Sequence, residues 1–279
     1  MIRVENLSFN YPKVPEDVLR GLNFQVSEGE IFGLLGPSGA GKSTLQKILL
    51  GLLKGYRGSA KVMEQDIKTI KSSYYDKIGV GFELPNLYEQ LTVLENLETF
   101  SKLYTKPASI EELLKEVGLL EHKRKKVSQI SKGMKMRLNF CRALIGSPQV
   151  LFLDESTSGL DPNNIKVIRD MILKQKRLGK TIILTTHNMS FAEEVCDRIG
   201  FVVEGEIKKL GTPSALKREY GQHKVCVKIQ GEERLFDIKD IGANQGFLQA
   251  IKAEGLEEIY TKQASLEEIF AVVTGRVLV

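Results

Sequence analysis

The sequence is poor in the residues that build covalent or metal-linked scaffolds. It has three cysteines, three histidines and no tryptophan in 279 residues. Cys141, Cys196 and Cys226 are odd in number and lack C-x-x-C spacing, which argues against a disulfide framework and a structural zinc site. We therefore expect a protein of a reducing compartment such as the cytosol.

Long apolar runs are also missing. Residues 1–5 show no signal-peptide core, and no window reaches the roughly 18 to 20 apolar residues that a membrane-spanning helix needs. Any membrane role must then come through a partner. The net charge of +5 is small and the basic residues are interspersed with acidic ones, so we expect no nucleic-acid partner.

The chain does have enough apolar content for a large core, with a hydrophobic fraction of 42%. Apolar residues alternate over residues 2–26, which predicts short antiparallel strands. Continuous apolar runs at 150–153 and 181–184 are typical of strands buried on both faces of a parallel sheet, and 164–175 between them has helical spacing. The sequence thus predicts an α/β fold with a mainly parallel sheet and an N-terminal antiparallel β subdomain.

Two capping boxes mark helix starts. Thr92 with Glu95, and Ser109 with Glu112, place a hydroxyl before a helix and a carboxylate three residues later. The run Ser265-Leu266-Glu267-Glu268 opens a final helix. Helical periodicity follows Thr92, which predicts a helical insert at about 83–145. Alternating apolar residues beyond residue 220 predict a small C-terminal α+β appendage, so we expect domains at 1–220 and 221–279.

One glycine-rich stretch organises these elements. It is Gly36-Pro37-Ser38-Gly39-Ala40-Gly41-Lys42-Ser43, between the apolar run 31–35 and a helical-looking run at 44–53. The pattern G-x-x-x-x-G-K-[ST] is typical of a phosphate-binding loop, whose backbone N–H groups and helix N-terminus hold phosphate oxygens. We expect Lys42 to reach the β and γ phosphates and Ser43 to ligate Mg²⁺. The chain is therefore predicted to bind a nucleoside triphosphate in a P-loop NTPase core.

Two acids end the predicted strand at 150–153. Asp154 and Glu155 lie at its carboxyl end, where ligands bind in open α/β sheets. Because adjacent side chains leave a strand in different directions, one can face the metal and the other a water molecule. We assign Asp154 to Mg²⁺, through a water, and Glu155 to the attacking water as general base.

His187 follows the strand that begins at Thr181, so it too lies at a strand's carboxyl end. Two interpretations of His187 stay open from the residues alone. It contacts the γ phosphate and holds the water's geometry, or it is a structural histidine with its hydrogen bonds satisfied.

The order of these segments resembles the ATP-binding subunit of an ABC transporter over roughly the first 215 residues. The matching segments are the phosphate loop, Ile130-Ser131-Lys132-Gly133-Met134, Leu151-Phe152-Leu153-Asp154-Glu155, Ser158-Gly159-Leu160-Asp161 and Thr186-His187. The resemblance implies that ATP and Mg²⁺ are bound and that two ATPase copies face each other head to tail. It also implies a separate integral membrane subunit and a location at the cytoplasmic face of the membrane.

Further site residues follow from the resemblance. Tyr11, which by itself is either core filling or a stacking aromatic, becomes the residue that stacks on adenine. Thr44 joins the phosphate loop. Glu83 lies in the loop that links the metal to the partner, and it joins Ser43 and Asp154 as a residue of the metal site. The resemblance implies that the signature residues Ser131, Lys132, Gly133 and Met134 contact ATP held by the second copy. It implies that Ser158 and Asp161 communicate between the copies.

The sequence departs from the family pattern at several positions. Lys132 and Met134 replace a glycine and a glutamine of the usual signature, Glu83 replaces a glutamine, and Ser156 replaces a proline. Together with the tail beginning at Ser265, the signature and Glu83 changes resemble the export branch of drug, bacteriocin-immunity and polysaccharide transporters. The expected function is an ATPase that powers export. The alternatives are a soluble ABC-type ATPase acting on ribosomes or DNA, and a nucleotide-gated regulatory module with little turnover.

Overall fold

The computed structural model describes residues 1–12, 14–221, 224–262 and 264–276. Its strands are β1 (Ile2–Phe9), β2 (Leu19–Val26), β3 (Ile31–Leu35), β4 (Arg57–Val62), β5 (Gln65–Asp66), β6 (Ile78–Gly81), β7 (Val150–Asp154), β8 (Thr181–Thr186), β9 (Arg198–Val203), β10 (Glu206–Gly211), β11 (Lys224–Ile229), β12 (Glu232–Asp237) and β13 (Leu256–Lys262). Its α-helices are α1 (Lys42–Leu49), α2 (Val93–Ser101), α3 (Ile110–Glu116), α4 (Lys132–Leu144), α5 (Pro162–Arg177), α6 (Met189–Val195), α7 (Pro213–Tyr220), α8 (Gln245–Ala250) and α9 (Leu266–Thr274).

The chain divides into two compact units, Met1–Leu210 and Gly211–Val279. The division follows Leu210, whereas the sequence pattern predicts a boundary after Tyr220. Helix α7 explains the difference, because it packs against α9 and buries Leu216 within the second unit.

The first unit is built on a six-stranded sheet with the order β10-β9-β3-β8-β7-β6. The pairings β3–β8, β3–β9, β6–β7 and β7–β8 are all parallel. Strands β3 and β8 are buried at every residue, as continuous apolar runs predict. Because β3, β7 and β8 run in the same direction, the segments that follow them meet at one edge of the sheet.

A second sheet of the first unit has the order β2-β1-β4-β5 and is antiparallel. Its inward side chains join the core of the central sheet. Phe24 of β2 stacks on Phe32 of β3 with ring centroids 5.3 Å apart. Since truncating a buried phenylalanine costs about 3–5 kcal/mol, Phe32→Ala would remove a large part of the stability of this unit. The predicted antiparallel subdomain and mainly parallel sheet are confirmed.

Helices α2, α3 and α4 form the predicted insert between β6 and β7. The capping box at Thr92 is confirmed, because Thr92 Oγ1 accepts from Glu95 N at 3.2 Å and Thr92 N donates to Glu95 Oε2 at 2.7 Å. Helix α4 packs against β6, α2 and α3. The insert is thereby tied to the strand that precedes Glu83.

Two helix boundaries differ from the sequence prediction. Helix α1 already begins at Lys42 and ends at Leu49, whereas the helical-looking run was 44–53. Helix α5 begins at Pro162, before the predicted Asn164, because Asp161 caps it and proline suits the first turn.

The second unit contains the antiparallel sheet β12-β11-β13. Val225, Val227 and Ile229 of β11 form a small core with Ala250 of α8. The final helix predicted to open at Ser265 is present as α9, and it begins with a capping box in which Ser265 N donates to Glu268 Oε2 at 2.9 Å and Glu268 N donates to Ser265 Oγ at 3.2 Å. The predicted small α+β appendage is confirmed as a fold.

Within the described residues, no helix combines the length and apolar character required to span a bilayer.

Candidate active site

The glycine-rich loop connects β3 to α1 at the carboxyl edge of the central sheet. A β-carbon on Gly36 would lie 2.1 Å from the carbonyl oxygen of Val202, so any side chain there would displace the loop. Gly41, the residue before α1, has a φ of 102°, a conformation that is strained for other residues. These two glycines bring the backbone close to β9 and turn it directly into the helix, as the motif predicts.

The side chain of Lys42 folds back onto the loop that precedes it. Its side chain is 6% exposed, and its Nζ donates to the carbonyl oxygens of Gly36 at 2.7 Å and Pro37 at 3.0 Å. Burial lowers the pKa of Lys42, while the carboxylates of Glu155, Asp154 and Glu83 oppose that shift. The loop therefore holds one buried cation that three acids surround.

Ser43 and Asp154 connect the loop to β7. Ser43 Oγ donates a hydrogen bond to Asp154 Oδ1 at 3.2 Å, and Thr185 Oγ1 of β8 donates to the same oxygen. The two donors hold the Asp154 carboxylate at the carboxyl end of β7. A hydroxyl and a carboxylate are ligands that suit Mg²⁺, which usually takes few protein ligands and completes its shell with waters and phosphates. The residues present therefore fit the metal expected there.

Glu155 follows β7 in an unusual backbone conformation. Its φ is 45°, in the left-handed region that non-glycine residues rarely adopt. The conformation is held because Glu155 N donates to Thr185 O and Glu155 O accepts from Ser158 N, each at 3.0 Å. Such strain costs of order 1–3 kcal/mol and clusters at functional sites.

The carboxylate of Glu155 lies between a lysine and a histidine. Its Oε1 is 3.8 Å from Lys42 Nζ, and its Oε2 is 3.0 Å from His187 Nδ1. The second contact lacks the geometry of a hydrogen bond, so Oε2 is buried without a hydrogen-bond partner in the part of the chain that the structure describes. A buried carboxylate oxygen of this kind is expected to accept a hydrogen bond from a water or a ligand.

These side chains surround one cavity of about 420 Å³. It is lined by Val18, Ser38, Gly39, Ala40, Gly41, Lys42, Ser43, Thr44, Glu83, Glu155 and His187. The structure therefore brings together most of the loop, the proposed base, His187 and Glu83. Val18 was not among the predicted residues; only its place just before β2 and its apolar character could have suggested it.

Tyr11 contacts α1, the helix that follows the phosphate loop. Its hydroxyl is 3.1 Å from Thr44 Oγ1, and its ring meets Phe9 edge to face with centroids 5.0 Å apart. The hydroxyl contact with Thr44 and the ring contact with Phe9 thus hold the Tyr11 side chain next to the phosphate loop.

The loop after β6, which carries Glu83, is held by α4. Asn139 Nδ2 donates to Phe82 O at 2.8 Å, and an Arg142 guanidinium nitrogen donates to Pro85 O at 2.6 Å. The sequence analysis did not identify Asn139 or Arg142 as residues that support the site, although their i, i+3 spacing on α4 places them on one helix face.

The signature residues form the start of α4. Ser131 caps the helix, with Met134 N donating to its Oγ at 3.2 Å. A β-carbon on Gly159 would lie 2.3 Å from Lys132 Nζ, so that ammonium rests on the loop that contains Ser158. Among the described residues that line the phosphate-loop cavity, the signature contributes none. Within one chain the signature and the phosphate loop are separate surfaces.

Comparison with known proteins gives the family. The sequence model of a family described as "ABC transporter" matches residues 19–158. The chain belongs to the ABC transporter family. A fluoroquinolones export ATP-binding protein of Mycobacterium tuberculosis (strain CDC 1551 / Oshkosh) is 46% identical over 284 aligned positions, which cover 100% of this chain and 94% of the relative. A linearmycin resistance ATP-binding protein of Bacillus subtilis (strain 168) is 34% identical over 258 positions, covering 91% of this chain and 79% of the relative.

Solved structures agree with this family. A dimeric ATP-binding cassette in a post-hydrolysis state bound to ADP and Pi has a TM-score of 0.69 and 29% identity, covering 76% of this chain and 98% of that chain. The predicted P-loop NTPase fold is thereby confirmed. As a member of the ABC transporter family, this chain is an ATP-binding and ATP-hydrolysing transport subunit.

Proposed function

We propose that the chain binds MgATP, pairs head to tail with a second ATPase copy and powers export through separate membrane subunits. The observation that carries the proposal is the convergence of Lys42, Ser43, Glu155 and His187 on one cavity, with Asp154 hydrogen-bonded to Ser43 beside it. Phosphoryl transfer needs a phosphate cradle, a metal ligand and a group that orients the attacking water. This edge of the sheet has a side chain suited to each task.

Lys42 is suited to the transferred phosphate. An ammonium has three donors, and two of them are used by the carbonyl oxygens of Gly36 and Pro37. The third remains for a phosphate oxygen, whose negative charge would also offset the burial that disfavours the ammonium. Ser43 and Asp154 would hold Mg²⁺, and the ion when bound neutralises charge on the β and γ phosphates.

Glu155 is suited to activate water. Its buried Oε2 has acceptor capacity, and the strained backbone holds it at the cavity wall. As the water oxygen bonds to the γ phosphorus, Glu155 takes a proton from that water and the bond to the β-phosphate oxygen breaks. His187, 3.0 Å from Glu155 Oε2, would position the same water. Tyr11 would stack on the adenine.

The signature is suited to a second copy's ATP. Ser131 offers a hydroxyl and the N-terminus of a 13-residue helix offers backbone N–H groups, away from the chain's own phosphate loop. In a head-to-tail pair, Ser131, Lys132, Gly133 and Met134 of each copy would face the other's γ phosphate. Asp161, which caps α5 next to them, and Ser158 would communicate between the copies.

A groove on the helical insert is suited to the membrane subunit. It has a volume of about 410 Å³ and is mainly apolar, and its wall includes Tyr88 stacked on Phe100 with centroids 5.8 Å apart. Phe82 lines this groove while its neighbour Glu83 lines the ATP cavity. A segment of the membrane subunit seated in the groove would therefore contact a residue adjacent to the nucleotide site.

The names of the relatives, fluoroquinolones export and linearmycin resistance, support a drug-like cargo chosen by the membrane subunits. The proposed location is the cytoplasmic face of the membrane.

The test is affinity purification of the full chain from native membranes, followed by ATPase assay of the complex. An integral membrane protein that copurifies and raises turnover supports export, whereas recovery of ribosomal proteins instead contradicts it.

A further inference from the structure

The second unit contains a pocket of its own, of about 240 Å³. Its lining comes from all three strands of the sheet and from α9. The floor includes the apolar side chains of Leu235, Ile269 and Val272, and two lysines, Lys224 and Lys262, lie on the wall. The pocket is therefore apolar with a cationic side.

The two lysines form a like-charged pair on neighbouring strands. Lys224 of β11 and Lys262 of β13 are directly opposite in the antiparallel register. Side chains at such positions start about 5 Å apart on the same face, and like charges there destabilise the sheet. Within the described residues, neither ammonium has an ion pair or a side-chain hydrogen bond.

Asp237 of β12 is also directly opposite Lys224, on the side away from Lys262. Two further charged side chains of this sheet have partners. Lys228, four residues along β11 from Lys224, lies 3.1 Å from a carboxylate oxygen of Glu257. Tyr260, between the two ends of β13, donates to Glu233 at 2.9 Å. Within the described residues, Lys224 therefore has one acid as a cross-strand neighbour whereas Lys262 has none, and both lysines line the pocket.

One acid also lines the pocket, but it is already engaged. Glu268 uses its Oε2 to accept from Ser265 N in the capping box of α9. Among the described lining residues, two cations therefore face one anion, and that anion is committed to the helix start.

Two of the apolar side chains of the lining are exposed, whereas Ile269 is buried. Val272 is 65% exposed and Leu235 is 46% exposed. An apolar molecule seated there would bury both side chains, and each Å² of apolar surface removed from water contributes roughly 25 cal/mol. An anionic group on the same molecule would reach the lysine pair.

We propose that this pocket binds a free small carboxylate with an apolar body. A cavity of about 150 Å³ holds benzene, so by proportion 240 Å³ accommodates a molecule of about ten non-hydrogen atoms. Octanoate has this size, one carboxylate and an apolar chain. The site belongs to the second unit, and none of its described lining residues lines the nucleotide cavity.

The test is calorimetric titration of octanoate into the full chain at a concentration below micelle formation. We expect one molecule bound per chain and binding at least about tenfold weaker for methyl octanoate, which lacks the charge. Lys224→Gln and Lys262→Gln are each expected to weaken octanoate binding about tenfold, because each change removes a charge-assisted hydrogen bond to the carboxylate. Lys239→Gln, an exposed lysine of the same unit outside the pocket lining, is the matched control and should bind as the parent does.

Other outcomes would overturn the proposal. Equal binding of methyl octanoate, or undiminished octanoate binding by both lysine variants, would mean that the pocket binds apolar molecules without recognising the carboxylate. A second contrary outcome is that the chain does not bind octanoate but sediments with phosphatidylglycerol vesicles. If both lysine variants sediment less with these vesicles, the lysines bind an anionic lipid surface and not a free carboxylate. Lys42→Ala should bind octanoate normally, so failure of the nucleotide proposal and failure of this one are distinguishable.

Discussion

A β-carbon added to Gly133 would lie 2.3 Å from Cγ of Asn164, closer than two non-bonded carbon atoms can approach. The Asn164 side chain is fixed, because its Nδ2 donates to Asp161 Oδ2 at 2.6 Å. The turn that begins α4 and the cap of α5 therefore fit together only because residue 133 has no side chain. In the proposed dimer Gly133 faces the phosphate of the second copy's ATP, and it also has a packing role within one chain.

Gly133→Ala is therefore expected to reduce the free energy of unfolding by about 1–3 kcal/mol, the usual cost of forcing extra atoms into a packed contact. Urea denaturation of the nucleotide-free protein measures the loss. Asn164→Ala removes all three atoms that the new β-carbon would meet, so Gly133→Ala/Asn164→Ala should regain most of it. If the changes in the free energy of unfolding of the two single variants simply add in the double variant, the contact between residues 133 and 164 is not the cause of the loss.

Glu155→Gln is expected to reduce steady-state ATP hydrolysis by about 10²–10⁴-fold, since an amide cannot take the proton of the attacking water. ATP binding should persist, because Lys42 and the loop are unchanged. ATP should then hold the proposed dimer together, which light scattering with and without ATP would detect.

The matched control is Glu28→Gln, an exposed glutamate outside the lining of the cavity. It should hydrolyse ATP as the parent does. Parental turnover by Glu155→Gln would remove Glu155 from the role of base, and loss of ATP binding would mean that the residue mainly supports the loop.

Local patterns predict the parts of this site that depend on local chemistry. The spacing of Gly36, Gly41 and Lys42 predicts a strand, a tight turn and a helix, because glycine conformation and helix capping are properties of adjacent residues. The capping box of Thr92 is predictable for the same reason. The buried run before Asp154 identifies a central strand.

Contacts between distant segments were not predictable in the same way. Asn139 holds the carbonyl of Phe82 across 57 positions of sequence, and no local pattern specifies that pairing. The left-handed backbone of Glu155 depends on the hydrogen bond to Thr185, which only the assembled sheet provides. Long-range packing therefore sets the finer geometry of the site.

The three cysteines are expected to be inert in the native protein. All three are buried free thiols, and burial raises the pKa of Cys141 and of Cys196. A raised thiol pKa keeps the reactive thiolate scarce, so raising the pH from 7 to 9 should not expose native reactivity. A thiol reagent should modify none of the cysteines in the native chain and all three in denaturant; one fast-reacting thiol in the native protein would contradict this expectation.

Leu103→Asp tests the proposed docking groove on the helical insert. Leu103 lines the groove and is 75% exposed, so a carboxylate there should leave folding and ATP binding intact while disfavouring an apolar partner. We expect the amount of copurified membrane subunit to fall by about tenfold or more, since placing an unpaired charge at an apolar interface costs several kcal/mol. Leu178→Asp, at a 64% exposed leucine just beyond α5, makes the same chemical change outside the groove lining and should copurify the partner normally. If both variants lose the partner equally, the effect is one of general surface charge, and if neither does, the membrane subunit docks elsewhere.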